Sequence, residues 1–240
     1  MKTIYFCSVS SGKFLFGNDL LIIVMKRVYL NTFASLLSKR SESSLDNAIN
    51  GLFEEHNAPF WYSRIRPGIR SFFVENLNYA KLDELLIKLD GFTPESHFQK
   101  YDSANSKQVV QLIKEKSFGI LGGKDMLKPE VKTVPFYGIE LDVNPDAIIV
   151  WKDQDGMFHV GAIKTKLRKS AFRAEEATVI ACMLKYYLTS LFPEYIIEDE
   201  YCICYDAFRG KFYSVNNYTQ NLIKASKIAE RIAARTPKAA

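Results

Sequence analysis

The stretch that most constrains the fold spans residues 138–166. Two apolar runs rich in strand-forming residues, 147–151 and 157–163, flank a polar turn with an Asp-Gly pair at 155–156. Such a pair between two such runs is the strongest short-range signal of a β-hairpin. Pro145 can stand only at the start of the first strand, because proline cannot donate a hydrogen bond to a β-ladder. The sequence therefore predicts an antiparallel pair that opens just after Pro145.

Two charged residues belong to one end of this predicted hairpin. Asp146 sits at the mouth of the first strand, and Lys164 lies near the end of the second. Side chains alternate between the two faces of a strand, so Ala162, Lys164 and Lys166 share one face. We expect Asp146 and Lys164 to converge. A carboxylate for a divalent cation beside a lysine is the minimal set for metal-assisted phosphodiester hydrolysis.

The chain after the hairpin alternates helix and strand signals. Apolar residues at helical spacing predict a helix over 171–192, which Pro193 ends. Residues 201–208 and 211–215 are typical of a second hairpin, and 216–234 of an amphipathic helix. Before the first hairpin the pattern indicates a helix over 106–116, a flexible stretch over 119–129 and a strand over 134–143. We predict an α/β protein with a mixed central sheet flanked by helices.

The chain before residue 104 has a different character. Residues 25–103 are predicted to form a mostly helical N-terminal region, with helices over 28–39, 43–55 and 81–89 and another that begins at Thr93. Residues 1–24 form either a hairpin or a peripheral extension. Residues 104–240 then make up the α/β core.

The order of these elements is similar to a known superfamily. A strand that begins with Pro145 and Asp146, a turn, a strand that ends near Lys164, a long helix and a further strand resemble the core of the PD-(D/E)xK nucleases. The resemblance covers residues 104 to 235 and implies a restriction-endonuclease-like fold. One position departs from the motif, because Ala162 stands where the superfamily has an acid two residues before the lysine.

The resemblance implies a magnesium-dependent nuclease. Asp146 would bind the metal, and Lys164 would position water and stabilise charge on the phosphate. Because Ala162 removes the usual second carboxylate, Glu176 or Glu175 at the start of the long helix would supply it, and Glu140 and Asp142, just before Pro145, are further candidates. Glu115 in the first core helix would be an accessory metal ligand.

Two alternatives stay open at this point. If Ala162 means that metal binding is lost, the chain is a catalytically silent protein of the same fold that binds nucleic acid or a protein partner. In the second alternative the protein is an enzyme that uses the amine of Lys164 as a nucleophile, which requires a desolvated pocket. A Pro-Asp pair at a strand start is also a common turn device, and glutamates in a first helical turn are favoured by the helix dipole alone.

The charge of the chain suits a polyanionic partner. Lysine and arginine number 32 against 27 acidic residues, a net charge of +5. The predicted nucleic-acid contacts fall in two segments: Lys166, Arg168 and Lys169 after the second strand, and Arg64 and Arg66 in a loop that also contains aromatic residues. The alternative for the loop is that its aromatics anchor it to the core while its arginines stay in water.

The remaining composition excludes several classes. The four cysteines lack metal-site spacing, which indicates reduced thiols and a cytoplasmic chain. The apolar run at 20–25 is too short to cross a bilayer, so no membrane association is expected. The three histidines are scattered, which argues against a histidine metal site or a serine triad.

Overall fold

The computed structural model describes residues 25–54, 62–169 and 173–236. Within these ranges the chain forms seven α-helices and eight strands. The strands are β1 (Lys26–Tyr29), β2 (Asp125–Leu127), β3 (Thr133–Phe136), β4 (Ile139–Asp142), β5 (Ala147–Lys152), β6 (Phe158–Lys166), β7 (Ile196–Asp206) and β8 (Lys211–Tyr213). The helices are α1 (Leu30–Leu37), α2 (Glu42–Asn50), α3 (Arg66–Val74), α4 (Ala80–Asp90), α5 (His97–Glu115), α6 (Ala174–Leu191) and α7 (Tyr218–Arg235). The predicted extension over 1–24 lies outside the described residues.

A five-stranded mixed sheet forms the centre, in the order β2-β5-β6-β7-β8. β5 and β6 pair antiparallel, with Ala147 opposite Ile163 and Lys152 opposite Phe158, so the predicted hairpin is confirmed. β6 and β7 pair parallel, and the chain crosses between them through α6. Such a crossover is the usual connection of parallel neighbours. The predicted α/β class with a mixed central sheet flanked by helices is confirmed.

Helices cover both faces of this sheet. The side chains of Val160 and Ala162 point into a core that includes α1, α6 and α7. Ile163 points the other way, into a core built with α3, α4 and α5. Strands buried on both faces read as continuous apolar runs, which is why the segments of β5 and β6 were recognisable in the sequence. Across the described parts of the chain, no helix is both long and apolar enough to cross a membrane.

A second, three-stranded sheet corrects two predictions. The single strand predicted over 134–143 is the hairpin of β3 and β4, because Tyr137 and Gly138 both have positive φ, 42° and 81°. Two consecutive positive φ values make the two-residue turn that suits a twisted hairpin. β1 completes this sheet by pairing parallel with β4, so Val28 is in a strand opposite Leu141 and not in the predicted helix over 28–39.

Two other predictions fail near the division at 103/104. A single helix, α5, replaces the two predicted helices and runs across the division, and residues from both sides share one core. The apolar stripe looked broken because Asp102, Ser103 and Ser106 are polar, yet all three are buried. The stretch predicted to be flexible contains β2, whose Met126 is buried opposite Ile149.

The pairing of β6 and β7 contains a bulge that depends on a glycine. The register passes from Val160 opposite Ile197 to Ala162 opposite Cys202. β7 therefore carries extra residues opposite Gly161. A Cβ at Gly161 would lie 2.6 Å from the carbonyl oxygen of Tyr201, so only glycine fits without displacing the bulge.

Candidate functional site

Asp146 is a fully buried carboxylate at the mouth of the β5–β6 hairpin. Its backbone N–H donates to the carbonyl of Ile163 at 2.7 Å. Its Oδ2 accepts a hydrogen bond from the backbone N–H of Thr165 at 2.6 Å. The chain kinks just before it, where Asn144 has a φ of 40°. The Pro-Asp pair is therefore a strand-start device, with a carboxylate that ties β5 to β6.

The other oxygen of Asp146 faces two arginines of α3. Nε of Arg70 lies 3.3 Å from Oδ1, and Nη1 of Arg66 lies 3.5 Å from it. The two arginines are four residues apart and so project from one helix face. Both carboxylate oxygens are thus occupied by N–H donors of the protein. The charge of Asp146 is balanced by guanidinium groups.

Lys164 is buried beside this carboxylate, as the sequence predicted. It is 6% exposed, and its Nζ donates to the backbone carbonyls of Val143, at 2.9 Å, and of Asn144. Burial lowers the pKa of Lys164 to about 7; Asp146 opposes this shift, and Arg66 adds to it. At neutral pH the amine therefore exists in both protonation states.

Glu176 is also buried, but its charge acts elsewhere. One of its oxygens accepts a hydrogen bond from the hydroxyl of Ser38 at 3.1 Å, while Oε2 has no hydrogen-bond partner among the described residues. Glu176 acts instead on Lys166. Burial lowers the pKa of Lys166, and the charge of Glu176 offsets part of this decrease. The charges that act most on Lys164 include Asp146, Arg66 and Arg70 and not Glu176.

The other two predicted acids lie apart from Asp146. Glu175 is exposed and lines a different cavity of about 320 Å³, together with Lys224. Glu115 is exposed at the end of α5. The next residue, Lys116, lies over the ring of Phe212 in β8. β8 is three strands, or roughly 14 Å across the sheet, away from β5, which begins just after Asp146, so Glu115 is placed away from Asp146.

The predicted metal ligands Asp146, Glu176 and Glu115 therefore do not form one site. Over the described ranges of the chain, no group of three or more histidine, cysteine, aspartate or glutamate side chains is arranged to hold a metal ion. Magnesium requires several oxygen ligands. Here Asp146 would be the single carboxylate, and its oxygens already accept from Arg70 and Thr165. In this arrangement the donor set does not fit the ion.

The predicted nucleic-acid contacts do converge, with one exception. Arg66, Lys166, Arg168 and Lys169 line one cavity of about 470 Å³, which also contains Asn31 and Asn105. We call this cavity the basic pocket. Among the residues that the structure describes, its lining has four cations and no carboxylate. Arg64 does not line it, because its guanidinium lies 3.6 Å from the centre of the Phe92 ring.

A second cavity lies on the other side of Arg66. It measures about 620 Å³ and contains Arg66, Arg70, Lys128 and Lys132 beside a single acid, Glu75. We call it the second basic pocket. Sequence reasoning missed Arg70, Lys128 and Lys132. Arg70 carried a signal, its spacing of four from Arg66, whereas Lys128 belonged to the segment predicted to be flexible.

Asp206 is a further buried acid that was not predicted as a site residue from the sequence. It ends β7, lies opposite Lys166 in the register, and is fully buried. One oxygen accepts from Arg209 at 2.8 Å, and the other has no partner among the described residues. The available signal was an acid directly after a buried strand.

Comparisons of the chain with family models, with curated proteins and with solved structures found no match. The class of protein that the fold and site define is thus an α/β protein with two adjoining cationic cavities at the mouth of its central hairpin.

Proposed function

We propose that this chain binds nucleic acid through its phosphates, as a catalytically silent protein with a restriction-endonuclease-like core. The observation that carries the proposal is the convergence of Arg66, Lys166, Arg168 and Lys169 in one cavity whose described lining residues include no carboxylate. These residues come from two segments separated by a hundred positions.

The chemistry of the two pockets favours phosphate. In the described part of the chain, seven cations line them against one acid, and these cations are Arg66, Arg70, Lys128, Lys132, Lys166, Arg168 and Lys169. Arginine presents a planar fork of donors that matches phosphate oxygens, and lysine supplies a point charge. Because Arg66 lines both cavities, a backbone with regularly spaced phosphates can contact both at once.

The environment of the variant motif supports a silent site. Ala162 is fully buried in the apolar core beneath α6 and pairs with Ile148 of β5. An acid there would bury a further charge close to that core, which is costly without a partner. Together with the arginine contacts of Asp146, this disfavours a metal-dependent hydrolysis.

The proposal is tested by equilibrium binding of labelled DNA and RNA oligonucleotides in the presence of a chelator. We expect the double variant Arg168→Glu/Lys169→Glu to weaken binding by more than about tenfold, because each reversal removes one phosphate contact and adds a repulsion. The matched control is Lys88→Glu/Lys227→Glu, which makes the same change in net charge at two exposed lysines outside both pockets. Equal losses in both double variants would refute a specific interface.

A metal-dependent nuclease is the second candidate. The observation that favours it is the proximity of Asp146 to Lys164, whose pKa of about 7 allows proton exchange at neutral pH. Titration of magnesium or manganese against plasmid and single-strand cleavage tests it. Metal-dependent cleavage that is lost in folded Asp146→Ala and Lys164→Ala variants would show that the protein is a nuclease and not a catalytically silent binding protein.

We also propose a cytoplasmic location, which the free thiols of Cys182, Cys202 and Cys204 suit.

A further inference from the structure

The basic pocket has the volume of a small-ligand site. It measures about 470 Å³, within the usual range of such pockets, and it is open to solvent on one side. One nucleotide is of this size, whereas the surface that reads a duplex is broader. The pocket therefore suits a single phosphorylated unit better than a continuous double helix.

Four separate segments of the chain line this pocket, including Asn105 of α5. Arg66 opens α3, Asn31 lies in the first turn of α1, and Lys166 ends β6. Lys166 lines the pocket and is only 6% exposed. The site is therefore partly desolvated, which strengthens charge-assisted hydrogen bonds to an anion.

Two buried polar atoms of these residues have unused hydrogen-bonding capacity. Nη1 of Arg66 makes no hydrogen bond within the described chain, its nearest acid oxygen being that of Asp146 at 3.5 Å. Oδ1 of Asn31 likewise has no partner there. Buried polar groups are normally paired, and Nη1 of Arg66 at least faces Asp146. The unpaired Oδ1 of Asn31, a residue that lines the basic pocket, is therefore the atom that points to a ligand.

The charge of the pocket sets the class of ligand. A phosphate monoester carries close to two negative charges at neutral pH, whereas an internal phosphodiester carries one. Arg66 and Lys166 face the buried acids Asp146 and Glu176, whereas Arg168 and Lys169 are exposed at the rim, so the described lining keeps an excess of positive charge that suits the more highly charged group.

We propose that the basic pocket binds a phosphate monoester carried on a nucleotide, with the phosphate between Arg66 and Lys166 and the nucleoside toward Asn31. Two sources share this chemistry: the phosphorylated end of a nucleic acid strand and a free mononucleotide. Binding of a phosphorylated nucleic acid end rests on the proposed function. Binding of a free mononucleotide does not depend on it.

The test compares single-stranded oligonucleotides of one sequence that end in a 5′-phosphate, a 3′-phosphate or hydroxyls only, with AMP as the free nucleotide. We expect one of the phosphorylated oligonucleotides to bind about tenfold more tightly than the hydroxyl form. Lys166→Met should abolish this ratio. Lys132→Glu, in the second basic pocket, should weaken all oligonucleotides and leave the ratio unchanged.

Because Lys166 is buried near Glu176, its variant must be shown to be folded by circular dichroism. If it is not, Lys169→Gln replaces it, with an expected loss of about threefold in the same ratio. An unchanged ratio in a folded variant would overturn the assignment to this pocket.

The outcomes separate the two proposals. Equal, salt-dependent binding of all oligonucleotides without binding of AMP would overturn the monoester inference and leave nucleic acid binding intact. Binding of AMP without any oligonucleotide would support the monoester inference and overturn nucleic acid binding. Binding of none of these probes would overturn both.

Discussion

The two ends of the β5–β6 hairpin hold their charges in opposite ways. At the tip, His159 lies between two acids, with its ring nitrogens 2.7 Å from Glu198 and 3.0 Å from Asp153. At the mouth, Lys164 lies beside Asp146 but is fully enclosed. The acids raise the pKa of His159, Asp153 most strongly, whereas burial lowers the pKa of Lys164 despite its neighbouring acid. Access to water, more than the presence of a counter-charge, decides the sign of the shift.

The difference has a functional meaning. Arg66, which faces Asp146 at the mouth, lines both basic pockets. The described linings of these pockets include no residue of the tip. Buried cations with lowered pKa values are typical of functional sites, whereas a partly buried group paired with acids, such as His159, is a common structural feature. Four predictions test this contrast, from the largest expected effect to the smallest.

Removal of Asp146 should be the most damaging change in the hairpin. Asp146→Ala leaves Arg66, Arg70 and Lys164 without their shared counter-charge and removes a hydrogen bond to Thr165. We expect the free energy of unfolding to fall by about 3–5 kcal/mol, as for other broken buried pairs. Urea denaturation measures it. The control is Asp153→Ala at the tip, and an equal loss in both variants would contradict the contrast.

Lys164→Met should reveal the titration of the buried amine. The pKa of Lys164 is about 7 in the folded chain, below its ordinary value, so the unfolded chain binds more protons between about pH 7 and 10.5. Stability from this group therefore rises with pH across that window. We expect the stability of the wild type relative to Lys164→Met to increase by about 2 kcal/mol or more from pH 7 to pH 9.5. A constant difference would mean that the amine is not desolvated.

Gly161→Ala tests the bulge that carries Glu198 toward His159. The added Cβ would lie 2.5 Å from Cβ of Tyr201 and 2.6 Å from its carbonyl oxygen. We expect a loss of about 1–3 kcal/mol, because the backbone of β7 must shift to relieve the overlap. Thermal unfolding measures the loss. Nucleic acid affinity should stay unchanged, and a parallel loss of affinity would show that the tip and the mouth are coupled.

His159→Gln should have the smallest effect, with the opposite pH dependence to that of Lys164. The pKa of His159 is raised, so its stabilising contribution is complete below the unfolded value of about 6.5 and is lost as pH rises through the folded value. The groups that face it are Asp153 and Glu198, with Trp151 stacked on its ring. The variant should be less stable than the wild type at pH 5.5 and nearly equal at pH 8.5. A larger deficit at the higher pH would contradict the assignment.

Local patterns in the sequence predicted the parts of the fold that are built from neighbouring residues. The β5–β6 hairpin followed from its Asp-Gly turn and apolar runs, and α6 from its helical stripe. The second sheet did not, because β1 pairs with β4 more than a hundred positions away. A strand as short as β1, four residues of which two are cations, carries no local sign of a distant parallel partner.

The same limit applies to the site. The proximity of Asp146 to Lys164 followed from strand alternation within one hairpin. Its arginine partners did not, because Arg70 is 76 positions earlier in the chain. Oδ1 of Asn31, which has no partner among the described residues, could not be found either, since its burial depends on where α1 packs. The sequence therefore indicated the acid and the lysine but not the contacts that occupy the acid.

The most direct measurement of the central claim is the salt dependence of nucleic acid binding by the wild-type chain without divalent metal. The account predicts that the logarithm of the association constant falls linearly with the logarithm of salt concentration between about 50 and 200 mM, with a slope that corresponds to several phosphate contacts. Arg168→Glu/Lys169→Glu should reduce that slope by about two. Binding that is absent, or that does not change with salt, would contradict the account.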